Sequence, residues 1–306
     1  MARVYVTHDL PGDALERLRA EHDVATWEGE GQPPRRELLQ AVAEVEGLLS
    51  MLVDTVDGEL MDAAAQLRVI ANYAVGTDNV DLDAAAAHGI AVGNTPDVLT
   101  DSTADLTVAL MLAVMRRLPE GEATVREGGW TTWRPDALLG RDLSRSTVLV
   151  VGAGRIGRAV ARRLEGFGAE VLTAGRDDEL IPLLERADVV TLHCPLTEST
   201  RGLIGHRELR AMGDEAYLVN TGRGPLVDAA ALEAALAEHR IAGAALDVTD
   251  PEPLPADHPL LQVPDLIVVP HVGSATHATR AAMADLAVDN LLAGLAGHPL
   301  PHPVSP

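Results

Sequence analysis

The stretch VLVVGAGRIG, from Val148 to Gly157, decides the fold of this 306-residue chain. A fully apolar run typical of a buried strand leads into three glycines, and a segment of helical periodicity follows. In such a strand–turn–helix unit, the first glycine permits the tight turn, the second lets backbone N–H groups approach a pyrophosphate, and the third lets helix and strand pack closely. The pattern therefore predicts dinucleotide binding. The predicted cofactor contacts in this turn are Gly152, Gly154, Arg155, Ile156 and Gly157.

Short apolar runs alternate with helical segments along most of the chain, which is the pattern of parallel βαβ units. Predicted strands are 3–7, 47–52, 67–73 and 90–93, followed by 147–151, 170–174, 189–193, 216–220, 243–248 and 266–270. Predicted helices include 11–20, 36–45, 103–118 after an Asp101-Ser102 capping signal, and 281–295. The sequence predicts an α/β protein whose first hundred residues form a small domain of their own.

The composition narrows the class of protein and its partners. The length and a hydrophobic content of 47% allow two folded domains. The formal net charge of -22 disfavours nucleic acid and anionic membranes as partners, and no apolar run is long enough to cross a bilayer. The chain contains no lysine, which excludes Schiff-base chemistry and the lysine-dependent phosphate loop, so arginine supplies every cationic side chain apart from histidine.

The cysteine content indicates the compartment. Cys194 is the only cysteine, which excludes an intramolecular disulfide and a cysteine-based zinc site within one chain. The N-terminus enters a predicted strand at once, without the charged, apolar and small-residue segments of a secretion signal. These features predict a cytoplasmic protein without a metal centre.

The end of the second strand of the later series bears on the choice of dinucleotide. NAD-selective sites usually place Asp or Glu there, about 20 residues after the glycine pattern, where it binds the ribose hydroxyls. Here the strand runs into Gly175 and Arg176; glycine leaves room and arginine offers a positive partner to a 2′-phosphate. The sequence predicts a preference for NADP(H). NAD(H) stays possible, because Asp177 or Asp178 takes the ribose role if the turn is one or two residues longer.

Two charged residues lie just beyond predicted strands, at the edge where open α/β sheets place their ligands. Arg223 lies between two glycines in NTGRGPLVD, where a guanidinium can bind a carboxylate and polarise a neighbouring carbonyl. Glu252 lies in the turn DVTDPEPL, where its carboxylate can orient an imidazole and raise the pKa of that ring toward the working pH. Both are candidate catalytic residues.

His271 is the candidate proton donor and acceptor, because it follows the apolar strand 266–270 and histidine exchanges protons near neutral pH. Asp247, at another strand end, is a candidate to hold the nicotinamide amide or ribose. Three other histidines near strand ends or loops remain alternatives to His271, namely His8, His193 and His277.

The chain resembles the D-isomer-specific 2-hydroxyacid dehydrogenases, and within that family the glyoxylate/hydroxypyruvate reductases. The likeness covers nearly the whole chain and rests on NYAVGTDNVDLDAA, GGWTTWRP, VGAGRIGRAVARRLEGFGAEV, LHCPLTEST, NTGRGPLVD, ALDVTDPEPLPADHPLL and PHVGSATHATR. It implies two domains: a Rossmann-type doubly wound parallel sheet in residues 102–281, which binds the dinucleotide, and a smaller flavodoxin-like substrate-binding domain formed by 1–101 and 282–306.

The resemblance also implies roles for individual residues. Arg223 would bind and polarise the substrate, His271 would exchange the proton, and Glu252 would pair with His271. Backbone N–H groups would bind the substrate carboxylate in two loops, one at Leu52 and one at Val75 and Gly76. The further cofactor contacts that it implies are Thr103, Cys194, Pro195, Thr221, Asp247, His271 and Gly273.

Such an enzyme would reduce a small 2-oxoacid, glyoxylate or hydroxypyruvate, to the 2-hydroxyacid with hydride from NADPH or NADH. The family implies a closing hinge between the domains and a homodimer built through the cofactor domain. Trp130 and Trp133 are then interpreted as packing or dimer contacts, with shaping of the substrate pocket as the other interpretation. Two alternative functions stay open: a dinucleotide-sensing, corepressor-like regulator, and a dehydrogenase for a bulkier 2-hydroxyacid or phosphite.

Overall fold

The computed structural model describes residues 1–306, which form two compact units. The first unit comprises Met1–Leu99 and Ala275–Pro306, and the second comprises Thr100–Ser274. The second boundary between the units lies between Ser274 and Ala275, earlier than the predicted 281/282, because the last helix begins at His277 rather than at residue 281. The roles of the two units in binding substrate and cofactor remain predictions. No helix of the chain combines the length and the apolar character that crossing a membrane requires.

The first unit begins with five strands and four helices. They are β1 (Arg3–Val6), α1 (Ala14–Glu21), β2 (Asp23–Thr26), α2 (Arg35–Val42), β3 (Gly47–Met51), α3 (Gly58–Ala63), β4 (Val69–Tyr73), α4 (Leu82–Ala87) and β5 (Ala91–Gly93). The sequence does not predict β2, because that strand is short, polar at both ends and only partly buried. The buried apolar runs that predict β3 and β4 are absent from it.

The second unit continues the alternation of helices and strands. Its elements are α5 (Thr100–Met115), α6 (Leu118–Arg126), β6 (Thr147–Val151), α7 (Arg155–Phe167), β7 (Glu170–Ala174), α8 (Leu180–Leu184), β8 (Val189–Leu192), α9 (His206–Met212), β9 (Tyr217–Asn220), α10 (Ala229–Ala237), β10 (Gly243–Leu246) and β11 (Leu266–Val268). Two details of the prediction are wrong. Asp101 and Ser102 lie inside α5 rather than before it, and Pro119 occupies the first turn of a new helix, α6, a position that suits proline.

The chain then returns to the first unit through α11 (His277–Leu295) and β12 (Pro303–Val304). The sheet of this unit has the order β12-β5-β4-β3-β1-β2, and every pair is parallel except β12 with β5. Strands β1 to β5 therefore follow the order 2-1-3-4-5, which is the flavodoxin-like arrangement. The predicted fold class of the smaller domain is confirmed.

The sheet of the second unit is parallel throughout and has the order β11-β10-β9-β8-β6-β7. Its strands are apolar on both sides: Val148 and Val150 of β6 pack in one core, and Leu149 and Val151 pack in the other. The strand order reverses between β6 and β8, and open α/β sheets bind ligands at the carboxyl ends of strands flanking such a reversal. The doubly wound sheet thus places the glycine turn, which follows β6, at the expected ligand-binding edge.

Candidate active site

The glycine turn between β6 and α7 has one glycine for each of three geometric demands. Gly152 has a φ of +97°, which favours glycine, and an added Cβ would clash with the backbone of His193 and Cys194. A Cβ on Gly157 would overlap the carbonyl oxygen of Gly152, so this contact between helix and turn has no room for a side chain. A Cβ on Gly154 would meet nothing within 4 Å.

These features fit a dinucleotide. Gly154 caps the N-terminus of the thirteen-residue helix α7, whose first N–H groups and dipole favour a phosphate. The space beside Gly154 is open, so a pyrophosphate can approach the backbone there. Cys194 and Pro195 follow β8 on the neighbouring strand end, next to Gly152. The sequence-predicted contacts of the glycine turn and of the LHCPLTEST segment therefore lie together.

The turn after β7 brings Gly175, Arg176 and Asp178 together. The backbone N–H of Gly175 donates to the Asp178 carboxylate at 2.7 Å, and Arg176 between them is exposed. The Asp178 carboxylate is therefore held close to the end of β7, which bears on the choice between NADP(H) and NAD(H).

Asp247 fixes the segment that carries His271. Its side chain is 2% exposed and accepts hydrogen bonds from the N–H groups of Val272 at 2.6 Å and Gly273 at 2.8 Å. Its backbone carbonyl accepts from the N–H of His271 at 2.9 Å. Burial raises the pKa of the Asp247 carboxyl, while these N–H groups oppose the rise. Asp247 is thus the anchor of residues 271–273.

His271 and Glu252 form a direct pair. The Nδ1 atom of His271 lies 2.6 Å from Oε1 of Glu252, and the two side chains retain 24% and 27% of their exposure. The other carboxylate oxygen of Glu252 accepts from the N–H of Thr249 at 3.4 Å. Because Nδ1 is engaged, Nε2 is the ring atom left to exchange a proton. The pair therefore has the geometry of an imidazole oriented by a carboxylate.

Arg223 lies on a loop that is closely packed against the loop carrying Glu252. A Cβ on Gly224 would overlap the carbonyl oxygen of Thr249, so only glycine fits at this contact. Asn220 shapes the Arg223 loop by donating to the Arg223 carbonyl at 2.8 Å and accepting from the N–H of Gly222 at 3.0 Å. The Arg223 guanidinium donates to the Gly222 carbonyl at 2.9 Å.

Thr103, Gly273 and Asp247 also meet, since a Cβ on Gly273 would lie 3.3 Å from the Thr103 side chain and 3.0 Å from Asp247. Thr221 is buried and shares a 2.9 Å hydrogen bond with Thr107, whose hydroxyl donates to the Thr103 carbonyl. Thr107 is not among the residues that the sequence predicts for the site. Its position four residues after Thr103, on the same face of α5, is the signal that could have found it.

His193 lies in different surroundings from His271. Its Nε2 shares a 2.9 Å hydrogen bond with Thr191, and burial lowers the pKa of His193 to about 4. The ring is therefore neutral near pH 7. His8 and His277 lie in the first unit and are exposed.

The predicted substrate-binding N–H groups all belong to the first unit. Leu52 follows β3, and Val75 and Gly76 follow β4, the adjacent parallel strand. Their backbone N–H groups donate no hydrogen bond within the chain. They are therefore free to bind an anion.

Comparison with known proteins identifies the family. Residues 108–273 match the model of the D-isomer specific 2-hydroxyacid dehydrogenase NAD binding domain. The chain is 44% identical to the glyoxylate reductase of Korarchaeum cryptofilum, over 95% of this chain and 92% of that protein. It is also 44% identical to the glyoxylate reductase/hydroxypyruvate reductase of Homo sapiens, over 98% of this chain and 97% of that protein.

A solved structure resembles the whole chain. It is the NADPH-dependent glyoxylate/hydroxypyruvate reductase of Sinorhizobium meliloti in complex with NADP and malonate, which aligns with a TM-score of 0.84 and 36% identity. The alignment covers 99% of this chain and 96% of that one.

The fold, the glycine turn and these relatives define the class of protein: an oxidoreductase that binds a nicotinamide dinucleotide. The chain belongs to the D-isomer specific 2-hydroxyacid dehydrogenase family. The family resemblance and the fold class that the sequence predicts are confirmed, and the comparisons lend no support to the alternative of a regulatory protein.

Proposed function

We propose that this chain reduces glyoxylate or hydroxypyruvate to the corresponding 2-hydroxyacid with hydride from NADPH. The observation that carries the proposal is the His271–Glu252 pair, at 2.6 Å, on a segment anchored by Asp247. The glyoxylate and hydroxypyruvate reductases among the relatives indicate the substrate class.

The cofactor supplies the hydride when it is bound. Residues 152–157 would hold its pyrophosphate at the N-terminus of α7, and Thr103, Thr221 and Gly273 would line the remainder of its site. Asp247 supports this binding indirectly by holding the backbone of Gly273 in place.

His271 carries the proton in this proposal. Its Nε2 donates a proton to the oxygen of the reacting carbonyl, and the imidazole becomes neutral in the direction of reduction. Glu252 stabilises the protonated ring before the transfer and fixes its orientation through Nδ1. Arg223 binds the substrate carboxylate and polarises the carbonyl, while the N–H groups of the two loops in the first unit contribute to carboxylate binding.

Initial rates test the proposed substrate class. Glyoxylate, hydroxypyruvate, pyruvate and a bulkier 2-oxoacid should be compared with NADPH and with NADH, together with phosphite oxidation in the presence of NADP⁺ and of NAD⁺. We expect the highest kcat/KM with glyoxylate or hydroxypyruvate. Faster turnover of the bulkier acid or of phosphite would contradict the proposed substrate.

A preference for NADPH is supported by Gly175, which leaves space at the end of β7, and by the exposed cation of Arg176 beside it. Asp178, whose carboxylate is 2.7 Å from the Gly175 nitrogen, opposes a 2′-phosphate by charge repulsion. The balance between these two side chains sets the preference, and we propose that Arg176 outweighs Asp178.

Replacing Arg176 with alanine should weaken NADPH binding about tenfold and leave NADH within about twofold, because a charge-assisted hydrogen bond contributes roughly 1.5–3 kcal/mol. Asp178→Asn should shift the preference the opposite way. The Kd of each dinucleotide is measured by fluorescence titration. Arg145→Ala is the matched control, since it removes an exposed arginine just before β6, at the opposite end of the sheet from this turn. Equal weakening of NADPH and NADH by Arg176→Ala would show that the 2′-phosphate is bound elsewhere.

A homodimer built through the second unit is also part of the proposal. Five of the nine exposed large hydrophobic side chains of the chain lie in the short segment 118–140, namely Leu118, Val125, Trp130, Trp133 and Leu139. Trp130 and Trp133 are 68% and 77% exposed. A concentration of exposed apolar surface of this kind marks a protein interface.

The double substitution Trp130→Ala and Trp133→Ala should convert the dimer to a monomer, because both indole rings would otherwise be buried in the interface. Light scattering after size-exclusion chromatography measures the mass. Phe167→Ala, at a 46% exposed residue of the same unit outside the segment, should leave the dimer intact. A monomeric wild-type chain would contradict the homodimer.

A cytoplasmic location remains a proposal. The chain's only thiol, Cys194, is partly buried, and burial raises its pKa, which suits a cysteine kept reduced. Cell fractionation tests it, and recovery of the native protein outside the cytoplasm would contradict it.

A further inference from the structure

The three N–H groups that we propose to bind the substrate carboxylate belong to peptide bonds whose carbonyls are anchored. In a trans peptide, C=O and N–H point in opposite directions, so fixing the carbonyl also aims the N–H of the next residue. The only cis peptide bonds of the chain precede Pro251 and Pro253, so the loops at Leu52, Val75 and Gly76 have this trans geometry.

Asn79 anchors the Leu52 loop. Its side-chain Nδ2 lies 3.1 Å from the carbonyl oxygen of Met51 and 3.0 Å from that of Asp54. The Met51 carbonyl and the Leu52 N–H belong to the same peptide, so the Asn79 amide turns the Leu52 N–H away from itself. Asp54 supports the same turn, since its buried carboxylate accepts from the Met51 N–H at 2.7 Å.

Asn94 does the same for the second loop. Its Nδ2 donates to the Val75 carbonyl at 2.8 Å, which turns the Gly76 N–H to the opposite side. The preceding carbonyl, that of Ala74, accepts from the N–H of Thr95 at 2.9 Å, which orients the Val75 N–H in the same manner. The side chain of Asn94 therefore orients the N–H of Gly76, and the backbone N–H of Thr95 orients that of Val75.

Asn72 joins the two loops. It is fully buried, its Nδ2 donates to the Gly76 carbonyl at 2.9 Å and to Oδ1 of Asn79 at 3.0 Å, and its Oδ1 lies 3.1 Å from Nδ2 of Asn79. The Ser50 hydroxyl donates to the side-chain oxygen Oδ1 of Asn72 at 3.1 Å. A shift of one loop is therefore transmitted to the other through two facing amides.

We propose that Asn79 and Asn94 are positioning residues, each aiming a backbone N–H group at the substrate carboxylate by holding the carbonyl of the same peptide. The inference rests on the proposed function and extends it to residues that do not touch substrate. An asparagine suits this position because its amide donates to a carbonyl and accepts from a neighbour, whereas a carboxylate of the same shape presents only acceptors to the carbonyls.

The test compares Asn79→Ala and Asn94→Ala with the wild-type enzyme. Each substitution should raise KM for glyoxylate about tenfold, since a misdirected N–H group loses part of a charge-assisted hydrogen bond to the substrate carboxylate. The Kd of NADPH should stay within about twofold and kcat within about threefold. Inhibition by oxamate, a non-reducible analogue of the substrate, should weaken in parallel with KM.

Two further variants separate positioning from a loss of stability. Asp81→Ala removes the cap of α4, a helix of the same unit, and should lower the midpoint of urea unfolding without changing KM. Asn79→Asp keeps the shape of the side chain and removes its donors, so its KM should rise at least as much as that of Asn79→Ala.

The outcomes distinguish the two proposals. A wild-type chain that reduces no 2-oxoacid overturns the proposed function and this inference with it. An active wild-type enzyme overturns the inference alone if the alanine variants raise KM no more than Asp81→Ala does, if Asn79→Asp has the wild-type KM, or if the Kd of NADPH rises in the same proportion as KM.

Discussion

Replacing His271 with asparagine is expected to lower kcat for 2-oxoacid reduction about a thousandfold while leaving NADPH affinity within about twofold, since positioned acid–base groups contribute roughly 10²–10⁴ in rate. The asparagine amide can still meet Glu252 but has no ring nitrogen that exchanges a proton. The backbone also tolerates the change, because His271 has a φ of +53° and asparagine is one of the residues that adopt positive φ most readily.

Stopped-flow or initial-rate measurements of NADPH oxidation, with a fluorescence titration of NADPH, check this result. Glu252→Gln keeps the size of the side chain but removes the charge that stabilises the imidazolium, so we expect a smaller loss, about a hundredfold. His277→Asn is the matched control at an exposed histidine and should have wild-type kcat. Near-normal turnover by the His271 variant would remove this residue from proton transfer.

Apolar runs are the most informative local signal for the strands of the second unit. The limits of β6 agree with the predicted 147–151. The successive residues Val148 and Leu149 enter two different cores, so the strand must be apolar on both sides. β12 is two residues long and pairs with the edge strand β5, so its formation depends on the arrival of a distant segment. A pattern within the strand cannot report such a partner.

The features of the candidate site also differ in how far the local sequence predicts them. Arg223, Glu252 and His271 could be chosen from the sequence because each has the right chemistry beyond a predicted strand, and the Nδ1 to Oε1 contact joins two of them. The anchoring of residues 271–273 by Asp247 could not be chosen, because it depends on a buried carboxylate meeting N–H groups on a neighbouring strand end. Hydrogen bonds between loops from different strands have no signature in local sequence.

Substitutions in the glycine turn are also expected to have large effects, and they separate the folding role of Gly157 from the dinucleotide-binding role of Gly154. Gly157→Ala should lower the free energy of unfolding by about 1–3 kcal/mol and abolish measurable NADPH binding, because its Cβ would overlap the backbone carbonyl oxygen of Gly152. Gly154→Ala should fold with a loss of at most about 1 kcal/mol, the cost of alanine in place of glycine at the N-cap of α7, because its Cβ meets nothing within 4 Å and its φ of −70° is accessible to alanine.

Gly154→Ala should nevertheless weaken the dinucleotide tenfold or more, because the added methyl group stands where the pyrophosphate would approach the N-terminus of α7. Urea unfolding measures the stability, and titrations with NADPH and NADH measure the affinity. Since both dinucleotides share the pyrophosphate, the loss should be the same for each, unlike the loss expected from Arg176→Ala. Wild-type affinity in the Gly154 variant would mean that the pyrophosphate does not bind at this turn, and the cofactor site would have to be moved.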